Sequence, residues 1–142
     1  MKVLHVAAVF ACIPCLASAA PVDDFISGVY ASSPELCERA RSSPDGLQAV
    51  FEDGNVVLTA RGILGIEYHC DFLQVLRGTR TPGFVATALC EEPGFAFPDT
   101  IAIVPRGEGE LELTAASGGA EEEGGPSGNS GLFHLCEGVT PP

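Results

Sequence analysis

The chain predicts an all-β fold: a small antiparallel up-and-down barrel of about seven or eight strands, with one short helix after the first strand and two disulfides. Three observations lead there. Short runs rich in β-branched and aromatic residues recur between clusters of Gly, Pro, Asp and Ser, without a sustained helical period. Residues 63–92 read as one long hairpin folding back on Gly78-Thr79-Arg80-Thr81-Pro82-Gly83. A fold at Arg80 sets Cys70 opposite Cys90, and antiparallel partners lie about 4.5–5.5 Å apart, within reach of a disulfide.

Residues 1–19 read as a secretory signal peptide. Lys2 supplies the positive start, residues 3–13 the apolar run, and Ala17-Ser18-Ala19 the small residues of a cleavage site. The run is short for a span of about 20 residues, and Pro14 interrupts it, which argues against a retained anchor. Export removes Cys12 and Cys15 and leaves Cys37, Cys70, Cys90 and Cys136, two disulfides with three connectivities. The hairpin favours Cys70–Cys90, so Cys37–Cys136 ties the start of the domain to its end. Zinc, with His69 and His134 as added ligands, is the competing use, but these four cysteines have no C-x-x-C spacing.

Residues 20–142 then form a single domain. Residues 25–30 read as a first strand. Ser33-Pro34-Glu35 opens a short helix over 34–41, with a serine cap and proline in the first turn. Residues 47–52 and 55–60 flank Asp53-Gly54, a two-residue hairpin signal. After the central hairpin, Pro93-Gly94 turns the chain into a strand over 100–104. Gly107-Glu108-Gly109 turns it again into a half-exposed strand over 110–114. Residues 116–131, rich in Gly and Ser and carrying Glu121-Glu122-Glu123, read as a flexible acidic loop. The last strand covers 132–137. An up-and-down barrel sets that strand beside the first, which brings Cys136 towards Cys37.

Unbroken alternation through the hairpin pairs Phe72 with Ala88, Gln74 with Ala86 and Leu76 with Phe84. It puts Leu64, Ile66, Tyr68, Cys70 and Phe72 on one face and Glu67, His69 and Asp71 on the other. Two carboxylates flanking an imidazole are a candidate metal or acid–base site. They are also what the polar outer face of a barrel strand looks like, and that reading is preferred. Leu73, Val75, Val85 and Leu89 would share the same outer face, where a barrel should be polar, and form a candidate interface unless the chain itself covers them. Ser127 and Ser130 complete no nucleophile elbow, and the glycines at 124, 125, 128 and 131 make no phosphate loop. No catalytic, metal or cofactor motif is read, so no cofactor is expected.

With Lys2 gone, six arginines face 19 acids, a net charge of −13. Nucleic acid and anionic membranes are therefore not expected partners; the charge leaves open a cationic protein, a cationic peptide or simple solubility, and solubility is the preferred reading of the charge by itself. Gly28-Val29-Tyr30, Ser33-Pro34-Glu35-Leu36-Cys37, Glu67 to Cys70 and Cys136 together give a layout that resembles small exported bacterial β-barrels stapled by disulfides, lipocalin-like and lysozyme-inhibitor-like. The resemblance implies a periplasmic or secreted protein that binds a ligand or an enzyme. No inhibitor loop motif is present, so no functional residue carries over. The expectation is a non-enzymatic binding module with an acidic surface, for a cationic protein such as a lysozyme. The alternatives are a barrel holding a small apolar ligand, a structural envelope protein, and a metal-assisted enzyme using Glu67, His69 and Asp71.

Overall fold

Eight strands pair antiparallel in sequence order and close into a barrel. In the computed structural model, which describes residues 25–117 and 129–142, they are β1 (Tyr30–Ala31), β2 (Val57–Thr59), β3 (Gly62–Leu64), β4 (His69–Arg77), β5 (Phe84–Glu92), β6 (Phe95–Gly107), β7 (Glu110–Ala115) and β8 (Gly131–Leu135). The closing pair is β8 with β1, as an up-and-down order requires. The signal peptide read from residues 1–19, and residues 118–128 of the acidic loop, lie outside the described residues.

Alternation along the long strands builds the core. On β5, Ala86, Ala88 and Cys90 point inward and are buried, while Val85, Thr87 and Leu89 point out. The small alanines leave room for larger neighbours: Phe72 lies opposite Ala88, and Val75 and Ile101 flank Ala86. Leu58, Ile63, Ile103, Leu113 and Phe133 complete the filling and are nearly inaccessible to solvent. The lumen is thus packed with side chains, each large one worth about 1.5–3 kcal/mol on burial.

The predicted first strand is corrected: of residues 25–30 only Tyr30 pairs, together with Ala31. Phe25 and Ile26 instead turn into the barrel and close one end. The Phe25 ring sits against Phe72 and Phe84, with centroids 6.0 and 5.3 Å apart. The side chains of Phe25 and Ile26 bury in the core at that end instead of extending the ladder.

The expected helix is present as α1 (Pro34–Ser42), capped by the Ser33 hydroxyl, which accepts from the Leu36 N–H at 3.4 Å. A second, α2 (Gln48–Phe51), replaces the strand expected over 47–52. Leu47, Val50 and Phe51 stand at i, i+3 and i+4, and this places all three on one buried side. Asp53-Gly54 is therefore not a hairpin turn but the end of a helix, where Gly54 (φ +76°) donates to the Phe51 carbonyl at 2.9 Å. Both helices lie outside the barrel. They bury Val29, Ala31 and Val57 of the wall with Cys37, Ala40, Val50 and Cys136, a second small core.

In the central hairpin the turn and the first pairs stand as expected: Cys70 opposite Cys90 and Phe72 opposite Ala88. A β-bulge at Leu73 then shifts the register, so Gln74 pairs with Thr87, Val75 with Ala86 and Leu76 with Val85. Strict alternation would have buried the Gln74 amide beside Phe72; the extra residue turns it out and brings Val75 in. Upstream, the strand does not run through from Leu64 to Phe72. β3 and β4 are separate antiparallel partners joined by residues 65–68, and Ile66 is exposed rather than inward. Both disulfides, Cys70–Cys90 within the hairpin and Cys37–Cys136 between α1 and the end of β8, form as paired in the sequence reading. They belong to a protein that folds outside a reducing cytoplasm.

Candidate functional site

The two ends of the barrel differ in charge. The strand directions put Arg61, Arg77, Arg80 and Arg106 at or near the turns of the end that Phe25 closes. That is four of the six arginines left without the leader. The opposite end is formed by the connections β1–β2, β3–β4, β5–β6 and β7–β8, and its described charges are mostly carboxylates.

At that acidic end a groove of about 410 Å³ opens between three segments. The end of α2 gives Phe51 and Glu52, and the run into β2 gives Asn55 and Val56. The β3–β4 connection gives Gly65, Ile66, Glu67 and Tyr68. The β5–β6 turn gives Glu92 and Pro93. Each segment is where it is for a local reason: the helix end at Gly54, the Pro93-Gly94 turn, and the tight β3–β4 link beside Val56. The walls are apolar, and Glu52, Glu67 and Glu92 stand exposed on them. None of the three makes an ion pair with a described arginine or histidine, whereas Asp53, Glu38 and Glu112 are paired with Arg39, Arg41 and Arg106. Beside Glu92, across the turn, Phe95 is 64% exposed and stacks on Phe97 at 5.6 Å. Unpaired carboxylates next to exposed aromatic and aliphatic surface suit a guanidinium or ammonium group on an apolar stem.

Tyr68 forms the inner wall of the groove and is fixed from behind. Asn129 Nδ2 donates to its oxygen and, at 3.2 Å, to Asp99 Oδ2. The buried Asp99 carboxylate also accepts from Thr100 N–H at 2.7 Å and from the Ser117 N–H and hydroxyl at 3.0 and 2.9 Å. The Tyr68 hydroxyl lies 3.0 Å from Cys70 Sγ, so this network rests on the hairpin disulfide. Asn129 Oδ1, buried, has no hydrogen-bond partner among the described residues. Burial pushes the Tyr68 phenol up to about 12, Asp99 and Glu92 add to the rise, and the Asn129 hydrogen bond opposes it. Burial also raises Tyr30.

The folded protein holds the Tyr68 proton where an unfolded chain, titrating near 10.0, releases it. Stability from this group is undiminished below pH 10 and is lost as pH rises towards about 12. Tyr30 and Tyr68 are the chain's two tyrosines, and there is no tryptophan. The phenolate absorbance of the native protein is therefore expected to be small at pH 10.0, where the denatured chain is half ionised. Half of the full phenolate signal at that pH under native conditions would show that Tyr68 is not held as described.

The residues singled out by sequence are not brought together as a metal site. Glu67 precedes β4 and lines the groove, His69 Nε2 faces Glu91 at 3.5 Å, and Asp71 lies exposed opposite Leu89. Among the described residues, no three His, Cys, Asp or Glu side chains are grouped to hold a metal ion. The candidate interface is corrected in one member: the bulge turns Val75 inward against the core and Leu76 outward, so the exposed residues are Leu73, Leu76, Val85 and Leu89. The groove was missed because Glu52, Ile66, Glu92 and Phe95 come from three connections that only the closed barrel assembles. An aromatic directly after a Pro-Gly turn, Phe95, was the one local signal. No protein-family model, curated protein or solved structure matches this chain.

Proposed function

We propose that this is an exported, non-enzymatic binding module whose acidic barrel mouth receives a basic side chain of a cationic protein, a lysozyme being the type of partner meant. The observation that carries the reading is the groove itself: apolar walls, an exposed phenylalanine beside it, and Glu52, Glu67 and Glu92 without an arginine or histidine partner among the described residues. The packed lumen supports an external partner over an apolar ligand held inside. The arginine-bearing far end would orient a cationic partner towards the mouth. Export to the periplasm or the medium fits the two disulfides and the leader-like residues 1–19, and the resemblance to lysozyme-inhibitor-like barrels points the same way. A small aliphatic amine is the second reading, favoured by a groove within the ~300–1,000 Å³ of small-molecule sites.

The test is a calorimetric titration of the oxidised protein with a lysozyme at ~0.15 and ~0.5 M salt. Saturable binding that weakens at the higher salt but persists is the expected result, because apolar contact in the groove is not screened. Heat that is absent, or that salt abolishes, would leave only unspecific charge attraction and would sink the proposal.

A further inference from the structure

The tip of the central hairpin is set apart by charge. Residues 72–90 contain no Asp or Glu, although the chain carries 19 acids, and residues 100–107 of the neighbouring β6 contain none either. The charges that the hairpin does carry there are Arg77 and Arg80. Among the described residues neither guanidinium pairs with a carboxylate, whereas Arg39, Arg41 and Arg106 do. Both line one cavity of about 310 Å³, together with Thr79, Thr81, Phe84 and Pro105. Its walls are fixed. Gly78 N–H donates to the Gly83 carbonyl at 2.8 Å, and a Cβ on Gly78 would stand 2.6 Å from the Thr81 carbonyl oxygen, so the loop folds back tightly there. The Arg77 guanidinium lies 5.1 Å from the centroid of the Phe84 ring, which itself packs edge-on against Phe25. The N–H groups of Thr79, Arg80 and Thr81 make no backbone hydrogen bond among the described residues.

We infer that this cavity binds a phosphate monoester. Two guanidiniums balance a dianion, which such an ester is close to at pH 7 and which a carboxylate or a diester is not. The planar fork of arginine matches the oxygens of a phosphate, and the stacking of Arg77 on Phe84 holds one fork in place before the ligand arrives. The threonine hydroxyls and the unused N–H groups of the loop supply further donors. Phe84 and Pro105 give an apolar wall for the organic part of the ester, and the volume lies at the lower bound of small-molecule sites, ~300 Å³. The cavity is at the barrel end opposite the acidic mouth, so the inference stands apart from what the mouth receives.

Calorimetric titration of the oxidised protein with phenyl phosphate, and with phenyl sulfate as its monoanionic counterpart, tests this. Saturable binding of the phosphate is expected, about tenfold or more tighter than that of the sulfate. Arg80→Gln should weaken it by about tenfold or more. Arg61→Gln removes the same charge at the same barrel end, outside the cavity, and should weaken it by less than about twofold. Gly78→Ala keeps both arginines but forces the loop open, and should also lose about tenfold. Far-ultraviolet circular dichroism confirms that the variants fold. Sedimentation with vesicles of phosphatidic acid, beside vesicles of phosphatidylglycerol, identifies the source of the phosphate. Retention on the first alone assigns a lipid headgroup, and binding of phenyl phosphate without retention assigns a soluble ester; either supports the inference. No saturable binding to phenyl phosphate or to phosphatidic acid, no preference over the sulfate, equal losses in the Arg61 and Arg80 variants, or unchanged binding by Gly78→Ala would overturn it.

Discussion

Replacing Cys37 and Cys136 together by Ala is expected to lower stability by about 4–5 kcal/mol and the melting temperature by on the order of 15 °C. The two lie 99 residues apart, so the bridge removes much of the entropy of the unfolded chain; that treatment gives about 4.7 kcal/mol for so long a loop. The native state adds a second reason. The barrel closes through only two residue pairs, Tyr30 with Leu135 and Ala31 with His134, helped by the Cys136 N–H donating to the Val29 carbonyl at 2.8 Å. The disulfide clamps α1 to the strand on the other side of that seam, inside the small core under the helices. Hydrogen exchange in the variant should therefore quicken first at β1 and β8, while the β4–β6 amides stay slowest. Denaturant melts of the oxidised protein and the double variant measure the difference. A loss under about 1 kcal/mol would mean that the seam holds without the bridge.

Gly62→Ala is expected to cost about 3 kcal/mol or more, although it adds one methyl group. Gly62 begins β3 with φ +153°, a backbone region close to glycine's own. A Cβ built there would stand 1.9 Å from the Cys70 carbonyl oxygen and 3.0 Å from its carbon. Both are backbone atoms of the strand that carries the hairpin disulfide, so no side chain can swing away to make room. β3 must peel from β4, and the β3–β4 connection that forms one wall of the mouth would shift with it. Gly54, in contrast, has nothing within 4 Å of a Cβ and bears only the strain of its positive φ. Gly54→Ala should cost about 1 kcal/mol. Equal costs for the two would refute the close approach of β3 to Cys70.

What the sequence made legible, and what it did not, follows from how local each signal is. Cys70 and Cys90 flank their own turn, so alternation alone paired them, and the order of strands then set Cys136 near Cys37. The bulge at Leu73 depends on a tertiary preference, Gln74 out and Val75 in, that strict counting overrides; the polar residue on the core side was the available warning. At 47–52 two signals competed, the Asp-Gly turn and the i, i+3, i+4 spacing of Leu47, Val50 and Phe51. The spacing prevailed because those three side chains bury against the outer wall of the barrel. Asn129 and Ser117 sit at the ends of a stretch whose composition reads as loop, yet both converge on Asp99, and no local pattern forecasts a contact across 18 or 30 residues. The mouth is the extreme case, since none of its three segments carries the site alone.

One comparison tests most directly whether the mouth grips a partner. The affinity for a lysozyme is measured for the oxidised protein, for Glu67→Gln with Glu92→Gln, and for Glu108→Gln with Glu137→Gln. The two double variants lose the same charge, the first at the groove and the second away from it, with Glu108 in the β6–β7 turn of the far end. The groove pair should weaken binding by about tenfold or more, and the distant pair by less than about twofold. Equal losses in the two would contradict a mouth that grips its partner and would leave net charge as the whole of the attraction.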